Sequence, residues 1–146
     1  MNQPADIMRA ASYASTRAPS FQRAAISFRD GTDNPSAYLE QFLDRIDSRE
    51  PTIKAFVTLA RDEARIAADT STKRYAAGNP LSPIDGLPFG LKDIIQTAGL
   101  PTQSGSPIFQ DWQAERDSAA AAALHRGGAV LVGKTATTEF AYGAIT

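Results

Sequence analysis

Lys92 and Asp93 follow a short apolar run, residues 87–91, at the point where it meets a loop. Gly86 and Gly90 lie nearby in sequence, and glycines leave the backbone exposed. A lysine at the end of an apolar strand can lose contact with water, which lowers its pKa and lets the neutral amine act as a base near pH 7. The alternative is that Lys92 and Asp93 form an ordinary solvated pair. Spacing alone favours this alternative, because isolated surface charges are common.

A second candidate lies at residues 128–135, which match the phosphate-binding pattern G-x-x-x-x-G-K-[ST]. That pattern requires a strand before the first glycine and an open loop between the glycines, whose N–H groups bind phosphate. Here residues 129–132 are all apolar and read as a strand preceded by a helix, so their N–H groups are committed to neighbouring strands. We therefore interpret the segment as a glycine-flanked buried strand and reject nucleotide binding. ATP with Mg²⁺ should leave thermal stability unchanged.

Composition excludes several function classes. Fifteen Lys and Arg against sixteen Asp and Glu leave a net charge of -1, which provides no basic surface for nucleic acid or an anionic membrane. Cysteine is absent and His125 is the only histidine, so thiol chemistry and cysteine-ligated metals are excluded. The chain has no apolar run of the ~20 residues that a membrane span needs, and its N-terminal residues do not show the apolar stretch of a secretory signal. We expect a cytoplasmic protein.

The elements that must position these residues follow from the hydrophobic pattern. Residues 1–20 read as a flexible or loosely helical terminus. Helices are predicted at 21–28, from Pro35 until Pro51, and at 60–77, with an extended segment at 53–59. The second helix carries an apolar stripe with helical spacing: Leu39, Phe42, Leu43 and Ile46.

The second half of the chain alternates strand and helix. Residues 87–91 predict a strand, Asp117 is placed as the N-cap of a helix at 118–126, and residues 129–132 predict a buried strand. A helix followed by a glycine pair and an apolar strand is typical of α/β proteins. The predicted fold class is therefore α/β.

An ordered series of glycines, prolines and charged residues runs from Leu81 to Tyr142. Its members, in order, are Gly86, Pro88, Lys92, Asp93, Gly99, Thr102, Gly105, Ser106, Asp117, Gly127, Gly128, Gly133, Lys134, Thr135, Glu139, Phe140 and Ala141. This order resembles that of the amidase signature family, the serine hydrolases that use a Ser-Ser-Lys triad. The resemblance covers most of residues 35–143 and is far more specific than any single piece.

The resemblance implies that Lys92 is catalytic, since the Lys-Asp of the family provides the catalytic lysine, and that Asp93 is structural. In the family mechanism the neutral lysine accepts a proton, through a bridging serine, from a serine that attacks an amide carbonyl. Water then hydrolyses the acyl-enzyme. Backbone N–H groups would stabilise the tetrahedral intermediate. The implied activity is hydrolysis of non-peptide C–N bonds in a small-molecule amide, and neither a metal nor an organic cofactor is implied.

The other polar residues of the series are interpreted as structural. Lys134 is placed at a strand end, Glu139 is expected to hold a loop, and His125 is expected at a helix C-terminus or on the surface. Ser104 and Ser106 are close to the lysine in sequence. The family pattern places Ser106 in a different motif, so we expect neither to be the nucleophile.

The serines that the mechanism requires are absent from the sequence. The family's Gly/Ser-rich stretch follows Glu-Phe-Ala by some tens of residues, and residues 1–146 contain no Gly-Gly-Ser-Ser. Met1 suggests a true start, and we expect residues 21–146 to be an incomplete N-terminal portion of the family domain. The product would then be a truncated chain, a fragment, or one part of a split amidase or amidotransferase. Such a chain should be inactive alone.

The family fold is a layered α/β/α arrangement with a mixed, twisted sheet, and this chain would form its N-terminal part. A sheet with few strands exposes an edge, so we expect marginal stability or self-association through that edge. The alternative function is a non-catalytic remnant that binds a partner through the same edge.

Overall fold

The computed structural model describes residues 20–143, so the expectation for the N-terminal residues 1–20 lies, apart from Ser20, outside the described residues. The elements, in chain order, are α1 (Phe21–Asp30), α2 (Pro35–Ile53), β1 (Phe56–Leu59), α3 (Arg61–Ala76), β2 (Pro88–Lys92), α4 (Ala119–Arg126) and β3 (Val130–Thr135). Two short 3₁₀ turns, Pro107–Phe109 and Glu139–Ala141, lie in the loops on either side of α4 and β3.

The three strands of the described residues form one sheet in the order β1-β3-β2. β1 pairs with β3 in antiparallel fashion, with Leu59 opposite Gly133. β2 pairs with β3 in parallel, with Leu91 opposite Lys134 and Lys92 opposite Thr135. The predicted α/β class with a mixed sheet is confirmed, and the parallel pair brings the carboxyl ends of β2 and β3 together.

The core lies where α2 and α3 pack against β3. It is formed by buried apolar side chains of these three elements: Leu39, Leu43, Ala64, Ala68, Val130 and Val132. Leu39 and Leu43 are buried in this core and Ile46 packs against it, partly buried. Phe42 packs, partly buried, against a second apolar cluster formed by Ala24, Phe28, Tyr38 and Leu87, so the predicted stripe is confirmed. The alanines of α3 let the helix approach the sheet closely. This packing holds β3, the central strand, in place.

A buried charge joins α3 to the turn before β2. The Asp85 carboxylate is fully buried and accepts hydrogen bonds from Ser71 Oγ (2.8 Å), Arg74 Nε (2.9 Å) and the Leu81 amide (2.8 Å). Burial alone would raise the pKa of Asp85, yet the hydrogen bonds from Arg74, Leu81 and Ser71 outweigh it and lower the pKa. Asp85 therefore stays ionised and fixes the turn that leads into β2.

Two predicted boundaries are wrong. The second helix does not stop at Pro51: it continues to Ile53 and ends where Lys54 adopts a left-handed conformation (φ 52°) and donates its N–H to Glu50 O. The proline lies only one turn from the helix end, so its missing N–H removes a single bond of the last turn. The strand after it consequently starts at Phe56 rather than at residue 53.

The predicted N-cap Asp117 is also wrong. Ser118 caps α4, because its side chain accepts from the Ala121 amide at 3.3 Å. Asp117 points elsewhere and accepts from the Ala98 amide (2.7 Å) and from His125 Nδ1 (2.8 Å). Serine and aspartate are equally good caps, so their order in the sequence did not distinguish them.

Among residues 20–143, no helix is both long enough and apolar enough to cross a bilayer.

Candidate functional site

Lys92 is the last residue of β2, and its side chain is exposed in the part of the chain that the structure describes. Successive residues of a strand point to opposite faces, and Asp93 is accordingly buried. The two residues are therefore not an ordinary solvated pair. The desolvation that the sequence suggested for Lys92 is absent among residues 20–143, where the buried lysine is Lys134.

Lys134 forms what we call the buried lysine cluster together with Asp93 and Thr102. Its side chain has 0% exposure, and its ammonium donates to Thr102 Oγ1 at 2.7 Å and to Pro101 O at 3.2 Å. Asp93 Oδ1 lies 3.4 Å from the Lys134 nitrogen, an ion pair of two buried groups. Burial lowers the pKa of Lys134, and the adjacent Asp93 carboxylate partly offsets this.

The sequence interpretation missed this cluster, although it placed Lys134 correctly at a strand end. Lys134 follows the apolar run of β3, and Leu91 lies opposite it in β2. A lysine inside such a strand needs a buried acceptor. The parallel pairing of the two strands, which the sequence does not state, brings Asp93 to that position.

The loop after β2 is tied to the carbonyl group of Asp93. The Ser104 amide donates to Asp93 O at 2.9 Å, and the Phe140 amide donates to Ser104 O at 2.8 Å. Ser106 Oγ donates to a carboxylate oxygen of Glu139 at 2.8 Å. This contact supports the expected loop-holding role of Glu139. It also gives the Ser106 hydroxyl a partner within the loop region.

His125 lies in the last turn of α4, as expected, but it is paired rather than free at the surface. Its Nδ1 contacts Asp117 at 2.8 Å, and the same carboxylate accepts the Ala98 amide. Burial opposes ionisation of Asp117, yet the Ala98 and His125 hydrogen bonds lower its pKa. The pair therefore fastens α4 to the loop after β2. Within residues 20–143 no three His, Asp or Glu side chains converge as metal ligands would.

The glycines of the phosphate-like pattern serve strand packing. A Cβ on Gly133 would overlap the carbonyl oxygen of Thr58 on β1, and a Cβ on Gly128 would overlap the Asp85 carboxylate. Residues 130–135 form strand β3, bonded on both sides. Between the two glycines, the Ala129 N–H donates to Leu124 O at the end of α4 and the Val130 N–H donates to Leu87 O beside β2. The interpretation as a buried strand is confirmed, with Gly133 inside the strand rather than after it.

Comparison with known proteins gives consistent matches. A family model described as Amidase matches residues 37–146. One of the subunits of the glutamyl-tRNA(Gln) amidotransferase of Chloroflexus aurantiacus is 42% identical over 107 residues, which cover 73% of this chain and 22% of that protein. The chain thus spans about a fifth of the length of this curated relative.

Solved structures match over most of the chain. One comes from a vestigial protein complex reported to reveal the evolutionary origins of an s-triazine catabolic enzyme. It has a TM-score of 0.81 at 30% identity and covers 86% of this chain and 28% of that one. The native peptide amidase of Stenotrophomonas maltophilia has a TM-score of 0.78 at 26% identity, and the match covers 88% of this chain and 26% of the amidase.

Proposed function

Because the chain belongs to the amidase signature family, we propose that it is the lysine-bearing portion of an amide hydrolase, with Lys92 as the catalytic base. The observation that carries this proposal is the position of Lys92, which ends β2 with an exposed side chain. The next residue along the backbone, Asp93, is held by a buried ion pair with Lys134. An amine held in this way can face groups supplied by residues outside the described segment. We propose a cytoplasmic location and a small-molecule amide substrate.

The proposed reaction is acyl transfer through a serine. In a complete enzyme, where residues outside the described segment would cover Lys92 and remove its amine from water, the neutral amine takes a proton, by way of a bridging serine, from a nucleophilic serine whose oxygen bonds to the amide carbonyl carbon. The C–N bond then breaks, the amine leaves with a proton, and water hydrolyses the acyl ester. We assign neither serine to Ser104 or Ser106, because the family pattern places Ser106 in a different motif and the Ser106 hydroxyl donates to Glu139.

The isolated chain should therefore hydrolyse neither aryl nor aliphatic amides, because Lys92 lacks its serine partners. The assay follows product release from simple anilides and aliphatic amides at high protein concentration. Hydrolysis that disappears in Lys92→Ala would contradict the prediction and implicate a local serine.

The proposed function is tested with a chimera in which this chain replaces the aligned segment of the Chloroflexus aurantiacus relative. We expect the chimera to retain amidotransferase activity.

A second candidate is a role as one part of a split amidase or amidotransferase, or as a non-catalytic interaction module. It is favoured by the sheet, because within residues 20–143 β1 and β2 each pair with β3 on one side only. The relatives are compatible with it: one is part of a multi-chain amidotransferase, and another belongs to a vestigial complex.

We therefore predict that the isolated chain self-associates through a sheet edge, since unpaired strands offer free N–H and C=O groups. Sedimentation velocity over a hundredfold range of concentration should show a shift from monomer to dimer or larger species. A lysine or proline substitution at Phe89 in β2 should reduce association more than the same change at Val57 in β1 if β2 is the edge involved. A monomer with a cooperative, concentration-independent unfolding transition would contradict the prediction.

A further inference from the structure

The buried lysine cluster lies beneath the strand end that carries the proposed base. Lys134 contributes the ammonium, Asp93 the carboxylate, and Thr102 an acceptor hydroxyl at 2.7 Å. The side chains of Asp93 and Lys134 are 1% and 0% exposed. Packing does not require such a pair, because well-packed apolar side chains of similar volume are often as stable as a buried ion pair. The charges therefore call for a different explanation.

Asp93 connects this cluster to the backbone next to Lys92. Its amide donates to Thr135 O at 3.0 Å, which extends the β2–β3 pairing by one residue beyond Lys92. Its carbonyl accepts the Ser104 amide, and its Oδ2 accepts the Gln103 amide at 3.1 Å. One residue thus joins β3, the end of β2 and the loop that follows.

Lys134 holds this junction from the other side. Its ammonium contacts Asp93 in one direction and both Pro101 O and Thr102 Oγ1 in the other, so it spans the gap between the strand end and the loop. Without the ammonium, Asp93 Oδ1 would be left buried with no partner, because this oxygen accepts no hydrogen bond within the described residues. A buried carboxylate without a partner is unfavourable, so the contact between the end of β2 and the loop would open to let water reach it.

We propose that Lys134 is a positioning residue: through Asp93 it fixes the backbone that presents Lys92, and through Thr102 it fixes the loop beside it. This inference rests on the proposed function, in which Lys92 is the base. Lys134 itself is buried away from solvent and takes no part in proton transfer.

The chain offers a matched control. Arg74 also pairs with a fully buried aspartate, Asp85, but this second pair fixes the turn before β2 and makes no contact with the loop at 101–104. Lys134→Met and Arg74→Met each leave one buried carboxylate without its cation. Any effect of lowered stability alone should therefore appear in both variants.

The first readout is amide hydrogen exchange of the full chain, followed by NMR. We expect exchange at Gln103 and Ser104 to be about tenfold to a hundredfold faster in Lys134→Met than in Arg74→Met, after correction for global stability. Equal exchange in the two variants would overturn the inference. If Lys134→Met does not fold, Thr102→Val keeps the ion pair and removes one acceptor. The same two amides should then exchange faster, and unchanged exchange would overturn it.

The second readout is the kcat and KM of the chimera. We expect Lys134→Met to lower kcat about tenfold with KM within twofold of its starting value, whereas Arg74→Met keeps kcat. If Lys92→Ala abolishes activity but Lys134→Met keeps kcat, the inference is overturned while the proposed function stands. If exchange at Gln103 and Ser104 accelerates but Lys92→Ala is fully active, the proposed function fails and the hold of Lys134 on the junction is still demonstrated.

Discussion

Asp85→Ala is expected to destabilise the chain by about 3 kcal/mol, at the lower end of the cost of breaking a buried ion pair. The carboxylate is fully buried, and its removal leaves Ser71 Oγ and the Leu81 amide without their acceptor. Arg74 retains 23% exposure and can turn towards water, which limits the loss. Urea unfolding followed by circular dichroism measures the change.

The matched control for Asp85→Ala is Asp47→Ala. Asp47 also pairs with an arginine, Arg61, but its side chain is 59% exposed. An exposed pair contributes about 0 to 1 kcal/mol, so this variant should unfold close to the unchanged chain. Equal effects of the two substitutions would show that the Asp85 carboxylate does not fix the turn before β2.

Asp85 also predicts the sign of an acid effect. Its pKa is lower in the folded chain than its ordinary value near 3.8. The stability that it contributes is therefore fully present above that ordinary value and is lost as the pH falls through the lowered one. The difference in stability between the unchanged chain and Asp85→Asn should shrink on acidification. A difference that stays constant between neutral pH and pH values below the lowered pKa would contradict this assignment.

Gly133→Ala is expected to destabilise the chain by about 2 to 3 kcal/mol, because the added Cβ would overlap the carbonyl oxygen of Thr58 in the adjacent strand. Backbone cannot yield there without loss of the pairing between β1 and β3, in which Leu59 lies opposite Gly133. Amide exchange of Ala60, which donates to Val132 O, should accelerate as this pairing weakens.

Gly99→Ala serves as the comparison for Gly133→Ala. Gly99 has a φ of 81° and no atom within 4 Å of an added Cβ, so its substitution carries only the strain of a left-handed backbone, about 1 kcal/mol. If Gly99→Ala costs as much as Gly133→Ala, close contact between the strands is not the reason for the glycine.

Local pattern was sufficient to predict the α/β class and the positions of most elements. The apolar stripe of α2 and the continuous apolar run of β3 depend on neighbouring residues only, and both are found where they were expected. The end of α2 was not predictable, since whether Pro51 stops a helix depends on the left-handed cap at Lys54 three residues later.

The site was predictable only in part. Motif order identified Lys92 and Lys134, but not which of the two lysines is buried. That depends on the parallel register of β2 and β3, and on Thr102, which lies 32 residues from Lys134 in sequence. Similarly, Asp117 and Ser118 are both good helix caps. Only the position of the Ala98 amide directs Asp117 towards the loop instead.

The central claim is that Lys92 is a catalytic base, and the chimera with the Chloroflexus aurantiacus relative tests it most directly. The measurement is kcat/KM of the chimera carrying Lys92→Ala, beside a control, Lys73→Ala, that removes another exposed lysine. We predict a loss of at least about a thousandfold for Lys92→Ala, carried by kcat, and less than twofold for Lys73→Ala. Activity of Lys92→Ala within about tenfold of the unchanged chimera would contradict the account.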